Sequence, residues 1–168
     1  MQRQGPYPFG WDCAAVPARV NESPTEECGM MASKEHEPYS ILITDDDSGS
    51  RDALRAIVEP AGYRTILASS GEEALDIVRD EEVHLALFDM HMPRMTGLEV
   101  LEMLRSVNIL LPCILVTADA NEVVIRQAFK LRAYSVIPKP VNKNVVLHTV
   151  VRALVRVYGD PQGGLAKD

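Results

Sequence analysis

The sequence predicts an α/β fold of the doubly wound kind, with a five-stranded parallel sheet. Three observations predict it. From residue 39 onward, short β-branched runs alternate with amphipathic segments of helical length. The runs are continuously apolar, as in Ile41-Leu42-Ile43 and Ile114-Leu115-Val116, which suits strands covered by helices on both faces. The residues able to do chemistry fall at the carboxyl ends of those runs, where such sheets place their ligand sites.

Taken in order, residues 1–38 hold five of the eleven prolines and no apolar period, so this stretch reads as a flexible tail. Five strand–helix units follow over 39–158. The strands are expected at Tyr39 to Thr44, Arg64 to Ala68, Val83 to Asp89, Leu111 to Thr117 and Ala133 to Ile137. Leu54, Ile57, Val58 and Ala61 recur at helical spacing after the first strand, and Leu98, Leu101, Leu104 and Val107 do so after the third. Ser48 can cap the first helix and Gly62 can end it. Asn142 can cap the last helix, which runs to about Tyr158 before the glycine-rich tail 159–168.

Composition narrows the function classes. At 168 residues, with 46% hydrophobic and 24% charged, the chain can form a core without metal or disulfides. Cys13, Cys28 and Cys113 are odd in number and lack metal-ligand spacing, which favours a reducing compartment. No apolar run approaches the ~18 residues of a membrane span, and no secretory leader pattern opens the chain. A cytoplasmic location with no membrane partner is therefore expected. A net charge of -7 argues against indiscriminate nucleic-acid binding.

In the order 2-1-3-4-5 the first and third strands are neighbours, which brings Asp45, Asp46 and Asp89 to one mouth. Thr117 ends the fourth strand and Lys139 follows the fifth. Crowded carboxylates repel unless a cation joins them, and hard oxygen donors suit Mg2+, which keeps positions open for a phosphate oxygen. Lys139 adds a mobile positive charge opposite the metal. Each piece alone has a bland reading: an acidic triplet is commonly a solvated turn and cap, and a lone lysine is usually surface. Their shared edge is what points to a phosphoryl group.

Ile41-Leu42-Ile43-Thr44-Asp45-Asp46-Asp47, Leu87-Phe88-Asp89-Met90-His91-Met92-Pro93-Arg94-Met95-Thr96-Gly97, Val116-Thr117-Ala118 and Pro138-Lys139-Pro140 together resemble the receiver domain of two-component response regulators, the CheY-like family. The resemblance covers about 39–158 and implies a flavodoxin-like (βα)5 fold. It implies that Asp89 is the phosphoacceptor and that Asp46, Asp89 and the backbone carbonyl of His91 bind Mg2+, with Asp45 acting through metal-bound water. It further implies that Thr117 and Lys139 hold phosphoryl oxygens and that Pro140 follows a cis bond. The phosphoryl donor is then a sensor histidine kinase or a histidine phosphotransfer protein.

Val136 stands where the family usually carries Tyr or Phe, and Tyr134 is expected on the same face about 6.6 Å further from the site. Pro138 removes a donor at the end of strand five. From Val123 to Gly159 there is no Asp or Glu, while Arg126, Lys130, Arg132, Lys139, Lys143, Arg152 and Arg156 fall there. This stretch corresponds to the fourth helix, fifth strand and fifth helix, the face receivers commonly use for output. Charge of one sign disfavours a charge-paired dimer and predicts a monomer or weak dimer and an acidic protein partner, while the net acidic charge of the whole chain predicts no directly bound nucleic acid. No helix-turn-helix follows Tyr158, so a stand-alone or excised receiver is expected.

Two other functions compete. A phosphorylation-independent interaction module, a pseudo-receiver, would keep the fold without the chemistry. Asp45-Asp46-Asp47-Ser48 also resembles the first motif of haloacid-dehalogenase-type phosphatases, with Asp45 as nucleophile and Asp47 as acid. That family wants acidic metal ligands after its lysine, and none follows Lys139 until Asp160.

Overall fold

Strands and helices alternate along residues 37–159, the part of the chain that the computed structural model describes. The elements are β1 (Ser40–Thr44), α1 (Ser48–Val58), a 3-10 turn (Glu59–Ala61), β2 (Arg64–Ala68), α2 (Gly71–Asp80), β3 (Leu85–Asp89), α3 (Gly97–Ser106), β4 (Cys113–Thr117), α4 (Glu122–Lys130), β5 (Ser135–Pro138) and α5 (Lys143–Tyr158). All four strand pairings are parallel and the order is β2-β1-β3-β4-β5, as expected. The tails expected at 1–38 and 159–168 lie almost wholly outside the described residues.

Alternation along each strand splits the core between the two faces of the sheet. Leu42, Ala86, Phe88 and Leu115 pack with Ala74 of α2, Val100, Leu101 and Leu104 of α3, and Ala128 of α4. Ile41, Ile43, Leu85, Leu87, Ile114 and Val116 pack with Leu54 and Val58 of α1 and Val146, Val150 and Leu154 of α5. Both faces of the central strands are thus covered, which explains the continuous apolar runs in the middle of β1, β3 and β4. No helix among the described residues is long and apolar enough to cross a membrane.

Several boundaries differ from the sequence expectation for identifiable reasons. Asp47, not Ser48, caps α1: its carboxylate accepts from the Ser50 amide at 2.7 Å, and a charged acceptor also complements the positive helix end. Helix α1 stops at Val58 and tightens through Pro60, so Ala61 leaves the apolar stripe and is exposed; Gly62 then ends the turn at φ 94°. Val107, at the end of the second stripe, is 63% exposed because α3 stops at Ser106. Asn142 caps α5 as expected, accepting from the amides of Asn144 and Val145.

Strand β5 begins at Ser135, two residues late. Arg132 sits at φ 59°, and the turn it makes returns the Ala133 amide to Ala128 O at 2.9 Å, so Ala133 closes α4 rather than opening the strand. As a result Tyr134 lies outside the strand alternation. It packs against the α1/α5 cluster, whereas Val136 packs against the α2/α3/α4 cluster, which corrects the expectation that both share a face. Likewise β4 starts at Cys113, after Pro112, which has no amide to donate. Helix α4 starts at Glu122, one residue before the acid-free stretch, and Glu122 pairs with Arg126. One cation of the α4-β5-α5 face is therefore paired within its own helix, and an acid does stand on that face.

Candidate functional site

Because β1 and β3 are hydrogen-bonded neighbours, their carboxyl ends deliver Asp45 and Asp46, just past β1, beside Asp89, the last residue of β3. Carboxylate oxygens of the three residues lie within 4.8 Å of one another. Asp45 is 1% and Asp89 6% exposed, whereas Asp46 faces solvent. Lys139 reaches the cluster from the end of β5. Its Nζ lies 2.8 Å from Asp45 Oδ2 and 2.9 Å from Asp89 Oδ1.

These contacts make the three carboxylates unequal. Asp45 has both oxygens engaged, Oδ2 by Lys139 and Oδ1 by the Asp47 amide at 2.9 Å. Its backbone carbonyl accepts from Arg51 Nη1 at 2.6 Å, which fixes the start of the β1–α1 connection. Burial pushes the Asp89 carboxyl above its ordinary range; the Lys139 hydrogen bond opposes this and the Asp45 charge adds to it. Burial depresses the Lys139 ammonium, but hydrogen bonds and charges from Asp45 and Asp89 outweigh that and leave it raised. The site holds an ammonium pinned between two buried anions, beside an accessible third.

Thr117 ends β4 fully buried, and its Oγ1 accepts from the Asp119 amide at 3.1 Å, which leaves the hydroxyl proton for another acceptor. Opposite it, Pro138 has no amide, and Lys139 N donates to Thr117 O at 2.7 Å one residue later. The Lys139-Pro140 bond is cis, as expected. His91 lies two residues past Asp89 with its side chain exposed, outside the ion-pair cluster.

Sequence reasoning missed two residues. Gly97 opens α3 directly against the Asp89 main chain: a Cβ there would fall 2.5 Å from Asp89 O. Arg51 was also overlooked. The glycine was visible inside a quoted motif, but the reason for it lies in a close approach that only the folded chain shows.

Comparison with known proteins bears on the same residues. Residues 41–151 match the response regulator receiver domain family. Response regulator RR06 of Streptococcus pneumoniae is 34% identical over 119 residues, covering 71% of this chain and 54% of that protein. The transcriptional regulatory protein ZraR of Escherichia coli is 30% identical over 123 residues, covering 73% of this chain and 28% of that one. The chain thus spans about half or less of these curated relatives. The crystal structure of a CheY-like receiver domain protein from Methanospirillum hungatei superposes with a TM-score of 0.67 at 32% identity, covering 71% of this chain and 95% of that one. Chemotaxis protein CheY4 of Vibrio cholerae gives 0.66 at 25% identity, covering 70% and 99%. Because relatives such as ZraR are named as transcriptional regulators, the expectation of no nucleic-acid partner gains no support. By its matched span, its strand order and its acidic strand ends, the chain belongs to the response regulator receiver domain family.

Proposed function

We propose that residues 39–158 act as a phosphoacceptor in cytoplasmic two-component signalling, taking a phosphoryl group from a phosphohistidine onto Asp89. The observation that carries this reading is Lys139 Nζ bridging Asp45 and Asp89 inside the carboxylate cluster. The donor set fits Mg2+: oxygens only, closely spaced, with excess negative charge that one ammonium does not cancel. Asp46, Asp89 and the His91 backbone carbonyl would hold the ion, with Asp45 acting through water. Asp45 suits the indirect role because both of its oxygens are already engaged. When bound, the ion supplies charge neutralisation at the phosphoryl oxygens.

An Asp89 carboxylate oxygen attacks phosphorus in line, the O–P bond forms as the N–P bond breaks, and the donor imidazole leaves with the electron pair. Lys139 offsets charge on an equatorial oxygen, and the Thr117 hydroxyl donates to another. The added charge at Asp89 gives Thr117 and Lys139 new partners, which biases the connection between β4 and α4 and so the α4-β5-α5 face. The donor is a sensor histidine kinase or a histidine phosphotransfer protein.

Labelling by a small phosphoryl donor such as phosphoramidate, followed by intact mass, tests this. One phosphoryl group that requires Mg2+ and is lost in Asp89→Asn is expected. No label at saturating donor and Mg2+ would establish the pseudo-receiver instead. Steady phosphomonoester turnover abolished by Asp47→Asn but not by Asp89→Asn would establish the phosphatase.

A further inference from the structure

The other end of the sheet carries a second built feature, unrelated to the carboxylates. Where β4 and β5 begin, the connections before them and one side of α5 enclose a groove of ≈ 670 Å3. Leu110, Phe129 and Val157 line it while exposed by 72%, 53% and 47%, so three of the large apolar side chains left in solvent share one place. Arg132, Arg152 and Arg156 line it as well, and no lining residue is acidic. Among the described residues none of these three guanidinium groups has an acid within ion-pair distance. Arg152 and Arg156 stand one turn apart on α5 and so present their charges side by side.

The walls are held in place from behind. Arg105 donates to the carbonyls of Ile109 at 2.5 Å, Leu111 at 2.9 Å, Leu131 at 3.2 Å and Arg132 at 3.2 Å. One guanidinium thereby ties the α3–β4 connection to the α4–β5 connection, and its own charge is spent on backbone oxygens rather than offered to a ligand.

We propose that this groove is a docking site for an acidic peptide segment of a partner protein, one that alternates carboxylates with apolar side chains. The carboxylates pair with Arg132, Arg152 and Arg156, and the apolar groups cover Leu110, Phe129 and Val157. A duplex backbone meets the charge but has nothing to place on the apolar wall. A second copy docking through the same face would set arginine against arginine. An exposed apolar rim suits a macromolecular partner better than a small ligand, which needs most of its surface enclosed. The site refines the acidic partner expected from the cationic third of the sequence and does not depend on chemistry at Asp89.

The test uses the full chain and a fluorescein-labelled peptide of alternating glutamate and leucine, with a glutamine–leucine peptide as the uncharged match. Anisotropy should show binding of the first peptide, at least about tenfold weaker binding of the second, and a similar loss in the double variant Arg152→Ser, Arg156→Ser. Amide shifts should cluster at Arg132, Ser135 and Arg152. No binding, equal binding of the two peptides, indifference to the substitutions, or shifts centred on Asp89 overturns the proposal. So does displacement by an equimolar DNA duplex, which would mark the groove as a nucleic-acid face, or by millimolar inorganic phosphate, which would mark it as a general anion trap. Both arginines are exposed, so the variants should fold, and phosphoryl labelling of Asp89 in them reads the other site independently.

Discussion

Replacing Gly97 by alanine tests whether the Asp89 backbone is positioned by the start of α3. The added Cβ would lie 2.5 Å from Asp89 O, 3.2 Å from its carbonyl carbon and 3.1 Å from Leu115 Cδ2. Ordinary carbon–oxygen contacts begin near 3.3 Å, so one backbone must retreat by about 0.8 Å. The Gly97 amide bond to Met90 O, already 3.2 Å, would be lost in that retreat. Alanine gains up to about 1 kcal/mol of helix propensity over glycine, against about 1–3 kcal/mol for overpacking and about 1 kcal/mol for the hydrogen bond. The net expectation is a loss of about 1–3 kcal/mol. With a urea m-value of roughly 1–3 kcal/mol/M, the midpoint should fall by about 1 M. Because the displaced atom belongs to the proposed acceptor, phosphoryl labelling should also slow by about tenfold or more. Gly62→Ala is the control: nothing lies within 4 Å of its Cβ, but φ is +94°, so it should lose stability through backbone strain and label normally. An unchanged or raised midpoint for Gly97→Ala with normal labelling would refute the positioning argument.

Three further outcomes are expected. Burial pushes the Cys113 thiol up to about 12, so in native buffer at pH 8 iodoacetamide should leave Cys113 unmodified by peptide mass spectrometry, while in urea it reacts; native modification at a free-thiol rate would contradict this. Burial holds the His84 imidazole below its ordinary value, with Glu82 opposing, and its Nδ1 accepts from the Ser40 amide at 3.0 Å. A neutral folded imidazole contributes stability that is present above pH ~6.5 and is lost as pH falls through the lowered folded value. His84→Asn, which keeps an acceptor without titrating, should lose less between pH 7.5 and 5.5 by urea midpoint, and equal losses would count against it. Val136 is β-branched and packed against the Leu115 side of the sheet, so it should not change rotamer on activation; NMR of a phosphoryl-mimic state should move amides from Thr117 to Asn121, and shifts confined to Tyr134 would overturn this.

What could be read from the sequence followed from how local each signal is. The meeting of Asp45, Asp46 and Asp89 was legible because parallel strands put all carboxyl ends at one edge, and the ends of β1 and β3 are marked by carboxylates. The start of β5 was not, because Arg132 carries no compositional sign of a left-handed turn, and misplacing that turn sent Tyr134 to the wrong face. The cap of α1 was misassigned between adjacent Asp47 and Ser48, both good caps, and only the geometry of the Ser50 amide chooses. The cationic run was visible as a charge count. Its convergence with Leu110 and Phe129 was not, since one comes from the α3–β4 connection and the other from the last turn of α4, both outside α5.

The same limit applies to the charge argument that began from the carboxylates alone. Counted in sequence, three aspartates demand a metal; in the fold, Lys139, 94 residues from Asp45, already supplies a cation between two of them. Three carboxylates against one ammonium still leave excess negative charge at a partly open site, and removing the lysine would leave two buried anions facing each other without compensation. The lysine therefore offsets the repulsion of the two buried carboxylates, while on the proposed function the unmatched charge at exposed Asp46 would draw a divalent ion. Asp45, saturated by Lys139 and the Asp47 amide, anchors the ammonium; Asp89 is bonded to it through one oxygen, so on the proposed function it is the anion whose partner would be exchanged for a phosphoryl group.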